Sequence, residues 1–350
     1  MRVLLTGAAG FIGTAVDKEL SAAGHEVVRV DALIPQAHPA EACADDLVHR
    51  LDVRDAHIDA TWRELLRGVD AVSHQAAMVG AGVAPADLPL YAAHNDLGTA
   101  ALLAAMAAGG VRRLVLASSM VVYGEGRYRC REHGRQSPGP RVRSALESGH
   151  FECPCPVCSR PLDWALVPED APVDPRSSYA ASKVAQEHYA SAWARQADSA
   201  VVALRYHNVY GPHMPRDTPY SGVAAIFRSQ VEAGRAPRVF EDGGQMRDFV
   251  HVADVARANR AALEAVSDAT AGAARAYNVC SGNPVDIATV ADYVARGTGS
   301  SRQPEVTGEF RVGDVRHVVA SPERAACELG FRAAVAPDEG LVEFATAPLR

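Results

Sequence analysis

The stretch RVLLTGAAGFIGTAVDKELSAAGHEVVRVD, residues 2–31, decides how the rest of the chain is read. Residues 2–6 form a short apolar run closed by Gly7, the pattern of a buried strand. Apolar residues then recur at helical spacing from Phe11 to Leu20, and Gly24 closes that segment. Residues 25–31 make a second strand-like run that ends in an acid, Asp31. Strand, helix and strand within about 30 residues form one βαβ unit. Gly7, Gly10 and Gly13 lie between the first strand and the helix. Glycines there permit a tight turn and let backbone approach a pyrophosphate held at the helix N-terminus. A bare G-x-x-G-x-x-G is a weak signal; at this junction it is a strong one.

Asp31 follows Gly13 by 18 residues. A carboxylate at that strand end can accept hydrogen bonds from both hydroxyls of an adenosine ribose, and it repels a 2′-phosphate. The run ALIPQ (32–36) offers no arginine to neutralise such a phosphate, so the pattern favours NAD over NADP. Further apolar runs are VDAVSHQAA (69–77), VRRLVLASS (111–119) and AVVALRYHNVYG (200–211). They alternate with alanine-rich helical stretches such as NDLGTAALLAAMAAGG (95–110). The alternation predicts an α/β fold, a doubly wound parallel sheet covered by helices on both faces. Residues 1–204 are expected to form this dinucleotide-binding (Rossmann) unit. The looser pattern of 205–350 is expected to form a smaller substrate-binding region, of which about 248–280 returns to the first unit. Residues 125–172 fit no strand–helix alternation and read as an insertion.

With 350 residues, 48% of them hydrophobic, the chain can bury a large core. Its net charge of −7 and the absence of long like-charge blocks argue against nucleic acid as a partner. No run approaches the roughly 18 apolar residues of a membrane span, and the first residues do not form a secretory leader. A soluble cytoplasmic protein is expected.

Of the 35 basic residues only Lys18 and Lys183 are lysines. Lys183 lies in YAASKVAQEHY (179–189), four residues after Tyr179 and so on the same helix face. A lysine beside a tyrosine favours the phenolate and is expected to lower its pKa toward neutrality. A tyrosine so tuned can act as general base on a sugar hydroxyl and then return the proton. In LASSMVVYG (116–124), Ser118 and Ser119 fall at a strand end, where open parallel sheets bind ligands.

The insertion holds seven arginines and four of the seven cysteines. Cys130-x2-His133 and Cys155-x2-Cys158 are two short pairs, each able to give two ligands from one backbone bend. Four such ligands suit tetrahedral, structural zinc, with no open position for substrate. Cys153 and His150 are alternative ligands. A metal-free reduced loop and a redox pair are the competing readings.

The glycine loop, Asp31, LDVRD (51–55), HQAA (74–77), SSMVVYG (118–124), Tyr179-x-x-x-Lys183 and RYHNVYGP (205–212) occur in that order. Together they resemble the extended short-chain dehydrogenase/reductase family, in its nucleotide-sugar epimerase and dehydratase branch. The likeness covers nearly the whole chain except the insertion. It implies that Ser119, Tyr179 and Lys183 are catalytic, with Tyr179 and Lys183 also touching NAD. It implies that Phe11 and Ile12 of the glycine loop contact NAD, that Asp52 and Val53 contact adenine, and that Ala76 and Ala77 line the dinucleotide. Asn95 would support the nicotinamide side. Asn208 and Arg311 would hold the substrate diphosphate, and Arg247 would lie near the nucleotide. Helices around 95–108 and 179–196 would pair into a homodimer.

The departures narrow the chemistry. The branch's 4,6-dehydratases carry Asp-Glu directly after the catalytic hydroxyl residue, and its decarboxylating members carry a Glu in the second position. Here these positions are Met120 and Val121, which cannot move protons. Oxidation and re-reduction at one carbon remain, which is epimerisation at C4 of a nucleotide-diphosphate sugar. The alternatives are a sugar ketoreductase or dehydrogenase of the same fold, and a non-catalytic dinucleotide sensor.

Overall fold

The computed structural model describes residues 1–35, 38, 47–80, 82, 84–216 and 222–350; Gln36 of the ALIPQ run and Cys43 lie outside them. In chain order the strands are β1 (Arg2–Thr6), β2 (Glu26–Asp31), β3 (Val48–Arg50), β4 (Ala71–His74), β5 (Arg113–Ser119), β6 (Arg127–Cys130), β7 (Gly134–Gln136), β8 (Asp163–Ala165), β9 (Ala200–Tyr206), β10 (Asn208–Tyr210), β11 (Arg238–Val239), β12 (Met246–His251), β13 (Ala274–Val279), β14 (Pro284–Asp286) and β15 (Glu305–Val306). The helices are α1 (Phe11–Ala22), α2 (Ala60–Leu65), α3 (Leu88–Tyr91), α4 (Gly98–Gly109), α5 (Arg143–Glu147), α6 (Ser178–Gln196), α7 (Val223–Glu232), α8 (Val252–Asp268), α9 (Ile287–Gly297), α10 (Glu323–Glu328) and α11 (Pro337–Phe344).

Seven parallel strands form the central sheet in the order β13-β9-β5-β4-β1-β2-β3. Both faces are covered, which is why its strands read as continuous apolar runs. In β1, Val3 and Leu5 pack with Val16 and Leu20 of α1 and Leu263 of α8. Leu4 faces the other way, toward Trp62 of α2, Leu102 of α4 and Trp193 of α6. The strand order reverses between β1 and β4, so their C-terminal ends flank the crevice where such sheets take dinucleotides. The boundary expected at 204/205 falls inside β9, which runs on to Tyr206, while α8 and β13 rejoin the sheet from beyond it.

A second hydrophobic cluster joins β10, β12, α7, α9 and α11 around Tyr210, Phe227, Phe249 and Phe344. The insertion folds as an antiparallel sheet, β7-β6-β8, beside the short helix α5. Its buried core is Tyr128, Cys130, Cys153, Cys155 and Leu162. Among the described residues no helix is long and apolar enough to cross a membrane.

Candidate active site

The glycine loop is shaped by close backbone approach. Gly7 has φ +68°, and a Cβ there would lie 2.7 Å from the Ala76 nitrogen at the end of β4. A Cβ on Gly13 would lie 1.9 Å from the Gly7 carbonyl oxygen, so only glycine lets α1 start this near β1. Gly10 precedes α1 as its N-cap, and Phe11 and Ile12 open the helix, where the first N–H groups lack intrahelical partners. Asp31 is buried at the end of β2. Its carboxylate accepts from Ala9 N (3.0 Å) and Leu33 N (2.9 Å), and His38 Nε2 lies 3.3 Å away. Burial pushes this carboxyl up, but His38 and the two N–H groups outweigh it and hold it below the usual range.

One cavity joins Gly7, Gly10, Asp31, Asp52, Val53 and Ala76, with Ala77 beside them. Seven of the residues expected to hold the dinucleotide thus line one cleft, whereas Phe11, Ile12 and Gly13 do not line it. Two of the expected cofactor residues, Asp52 and Asn95, also serve the protein's own backbone. The Asp52 carboxylate caps the turn at Val53–Asp55 by accepting from Arg54 N (2.9 Å), and it pairs with the Arg54 guanidinium. Asn95 is fully buried: its Oδ1 accepts from Met78 N (2.7 Å), and its Nδ2 donates to Met78 O and Ser182 Oγ. It thus fixes the cleft wall after β4 from behind, with both amide hydrogens committed.

Ser119 ends β5, while Tyr179 and Lys183 lie on the first turns of α6, which Ser177 caps by accepting from Ala180 N (3.2 Å). Ser119 acts on the Tyr179 phenol from the end of β5, opposing the rise of its pKa, and Lys183 Nζ lies 5.9 Å from the centre of the Tyr179 ring. Lys183 is buried and donates to Ala117 O (2.9 Å). The expected depression of the tyrosine is not found. Burial pushes Tyr179 up to about 12, with Ser119 opposing the rise, and burial lowers Lys183 to about 7. Desolvation disfavours the charged form of each group and is the largest cause of both shifts.

Ser118 separates from its neighbour. Its hydroxyl donates to Glu187 on α6, and Glu187 accepts from Arg205 (2.9 and 2.7 Å). Arg205 also donates to the Tyr123 hydroxyl (2.9 Å), which donates to Asn278 Oδ1 (2.7 Å). This buried set ties the ends of β5, β9 and β13 to α6 and holds Ser119 in place. Glu187 carries no signal in the sequence beyond its i, i+4 spacing from Lys183. Gly82 is a second residue that sequence reading misses. It has φ +60°, and a Cβ there would lie 2.5 Å from Tyr179 N.

On the substrate side, β10 pairs with β12, and Arg247 of β12 bridges to Val318. Asn208 Oδ1 and both ring nitrogens of His207 are buried without a hydrogen-bond partner among the described residues. Burial lowers His207 to about 3, so it stands neutral beyond the end of β9. Unsatisfied buried polar atoms are costly, and their concentration at a ligand-binding sheet edge suits contact with a polar ligand. Arg247 donates to the carbonyls of Met246 (2.8 Å), Val315 (2.7 Å) and Arg316 (2.8 Å). That is three of its five N–H donors. Arg311 is exposed, with its guanidinium 5.0 Å from the centre of the Phe240 ring.

The model of the NAD dependent epimerase/dehydratase family matches residues 3–142 and 165–280. The chain belongs to this family. It is 32% identical over 355 residues to a dTDP-L-rhamnose 4-epimerase of Burkholderia thailandensis, covering 99% of this chain and 94% of that protein. It is 32% identical over 350 residues to a UDP-glucose 4-epimerase of Mycolicibacterium smegmatis, covering 98% and 97%. Among solved structures it resembles the UDP-glucose 4-epimerase of Thermus thermophilus in complex with NAD. The TM-score there is 0.75 at 33% identity, with 99% of this chain and 98% of that one covered.

The epimerase/dehydratase model skips residues 143–164, which hold Cys153, Cys155 and Cys158. There the Sγ atoms of Cys130, Cys155 and Cys158 and a ring nitrogen of His133 all lie within 4.8 Å of one another. Cys130 Sγ is 3.7 Å from Cys158 Sγ and 3.4 Å from His133 Nδ1, and Cys155 Sγ is 3.8 Å from His133 Nδ1. A tetrahedral zinc with Zn–S near 2.3 Å and Zn–N near 2.0–2.1 Å requires about 3.8 Å between sulfurs and about 3.6 Å from sulfur to nitrogen. Three of the six donor separations are therefore close to those of tetrahedral zinc. Of the alternative ligands, His150 is exposed, and Cys153 faces Glu125 and the Tyr128 hydroxyl at 3.7 Å. Burial and the Glu125 charge push the Cys153 thiol up to about 12.

Proposed function

We propose that the chain is an NAD-dependent epimerase acting at C4 of a nucleotide-diphosphate sugar through a transient 4-keto sugar. One observation carries this reading: the strand end that presents Ser119 beside Tyr179 and Lys183 continues into Met120 and Val121, so neither of these two positions supplies an acid to expel a leaving group. The named activities of the relatives, 4-epimerases of dTDP-L-rhamnose and UDP-glucose, support it.

The Gly7–Gly13 cradle and Asp31 fit NAD, because glycine at 7 and 13 lets the start of α1 sit close against β1 and β4, and the N–H groups of that first turn can face a pyrophosphate. NAD, when bound, accepts the C4 hydride and gives it back, and its positive ring favours the tyrosinate. Tyr179 takes the proton of the C4 hydroxyl, with Ser119 donating to the same oxygen. Lys183 adds positive charge that helps hold the phenolate. Asn208, Arg247 and Arg311 keep the diphosphate while the keto sugar presents its other face. Tyr179 then returns the proton. Zinc on Cys130, His133, Cys155 and Cys158 is structural, since four protein ligands leave no open position. Exposed Leu90, Leu97 and Tyr189 supply an apolar face for a homodimer.

The test is a panel of UDP- and dTDP-sugars incubated with purified protein and followed by NMR. Two interconverting C4 epimers without added NAD are expected. Steady NADH release would favour a net oxidoreductase, and silence toward every sugar would remove the reading. Metal analysis should return about one zinc per chain.

A further inference from the structure

The insertion does more than fold over its own cysteines. Glu152, three residues before Cys155, reaches out of it to the substrate side. Its Oε1 accepts from Arg316 Nε (3.0 Å) and Nη2 (2.6 Å), and its Oε2 lies 2.9 Å from His317 Nε2. His317 Nδ1 accepts in turn from Met246 N (3.1 Å), the residue before Arg247. Three more contacts hold the same stretch. Glu125 accepts from Arg316 N (2.9 Å), the Tyr128 hydroxyl accepts from His317 N (3.0 Å), and Arg141 donates to Asp314 O (2.7 Å) while forking onto Glu241 (2.7 and 2.9 Å). Residues 314–317 are thus held from the insertion side by both backbone and side chains.

That stretch positions Arg247. The carbonyls of Val315 and Arg316 accept two of the hydrogen bonds that aim its guanidinium. Arg247 forms no direct ion pair with a carboxylate among the described residues; burial lowers its pKa, and the more distant charges of Glu125, Asp314 and Glu241 only partly oppose that. A half-buried guanidinium whose nearest carboxylates are not in contact with it is incompletely neutralised, and an anionic ligand in contact with it would complete the neutralisation. A core of five side chains, three of them cysteines, is too small to hold the insertion rigid alone, whereas a four-ligand metal would fix the knuckle that precedes β8.

We infer that Glu152 is a positioning residue for substrate: anchored by the metal-clamped knuckle, it fixes residues 315–317 and so aims Arg247 at the diphosphate of the nucleotide sugar. This rests on the epimerase reading above. Breaking the relay should loosen the grip on the diphosphate and spare the hydride and proton steps.

The test compares wild type with Glu152→Ala, Glu152→Gln, His317→Ala and the double variant Glu152→Ala/His317→Ala. Readouts are KM and kcat on a sugar that wild type epimerises, Kd for UDP and dTDP as probes, bound NAD, zinc content and melting temperature. Glu152→Ala should raise KM and the diphosphate Kd about tenfold, with kcat, NAD and zinc nearly unchanged. Glu152→Gln should recover most of the loss, and the double variant should be no worse than the worse single one. Unchanged KM and Kd in Glu152→Ala, or a fall in kcat and NAD content with KM unmoved, overturns the inference and leaves the epimerase reading standing. A wild type that binds neither UDP nor dTDP and turns over no sugar overturns both.

Discussion

Around Gly7 and Asp31 the backbone does the positioning, with glycines packed so near their neighbours that a Cβ would collide and a carboxylate pinned by two N–H groups. In the insertion only Gly126 packs so closely, against the His317 carbonyl oxygen, while Gly134, Gly139 and Gly149 stand in open space. Three short strands stand on a core made mostly of cysteines, and long charged side chains tie it to the substrate region. The cleft is rigid because seven buried strands impose its shape. The insertion is rigid only as far as its four metal-type donors and its ion pairs make it so. Changes in the cleft should therefore strike chemistry and cofactor, and changes in the insertion should strike metal content and substrate grip.

The largest expected effect is on the cleft side. Tyr179→Phe should lower kcat by about 10²- to 10⁴-fold, the usual worth of a positioned acid–base group, with zinc and bound NAD retained. If zinc were lost as well, the two regions would be coupled in a way the contacts do not provide. Next is Gly13→Ala, whose new methyl group would meet the Gly7 carbonyl oxygen. Protein purified from this variant should carry little NAD while its zinc is intact, as measured by cofactor release and metal analysis. On the other side, Cys155→Ser should release the metal, lower the melting temperature by several degrees and raise KM, yet keep NAD bound.

The smallest effect is a pH dependence. Lys183 is lowered to about 7 in the fold from an ordinary value of 10.5, so between these values the unfolded chain binds the extra proton. Stability of the cofactor-free protein should then rise with pH across that window, by a contribution on the order of a few kcal/mol. Lys183→Met should lack this rise when the two are compared by denaturant unfolding at pH 7 and 9. A parallel dependence in both proteins would contradict a lysine buried in this state.

How much of this was legible follows the same division. The βαβ unit, the parallel sheet and the glycine cleft lie open in the sequence because their signals are local: a strand ends in Gly7, a helix begins at Phe11, and Asp31 ends the next strand. The pairing of Tyr179 with Lys183 is likewise one helical turn. Cys130, His133, Cys155 and Cys158 could be matched by the short spacing within each pair. What the sequence hides are contacts across long separations. Nothing near Glu152 points to Arg316 and His317, 164 and 165 residues away. The commitment of Arg54 to Asp52, of Asn95 to Met78 and of Arg247 to three carbonyls also depends on where turns meet in space. The rise of Tyr179 to about 12 is hidden from the sequence because burial, its largest cause, cannot be read from a four-residue spacing.

The central claim is that hydride leaves C4 and returns to it while Tyr179 carries only the oxygen's proton. It is tested most directly with a nucleotide sugar that the protein epimerises, labelled with deuterium at C4. The account predicts that the product epimer keeps the deuterium at C4, with no exchange into solvent and no accumulation of NADH. Loss of the label to solvent, or NADH accumulating with the keto sugar, would contradict it.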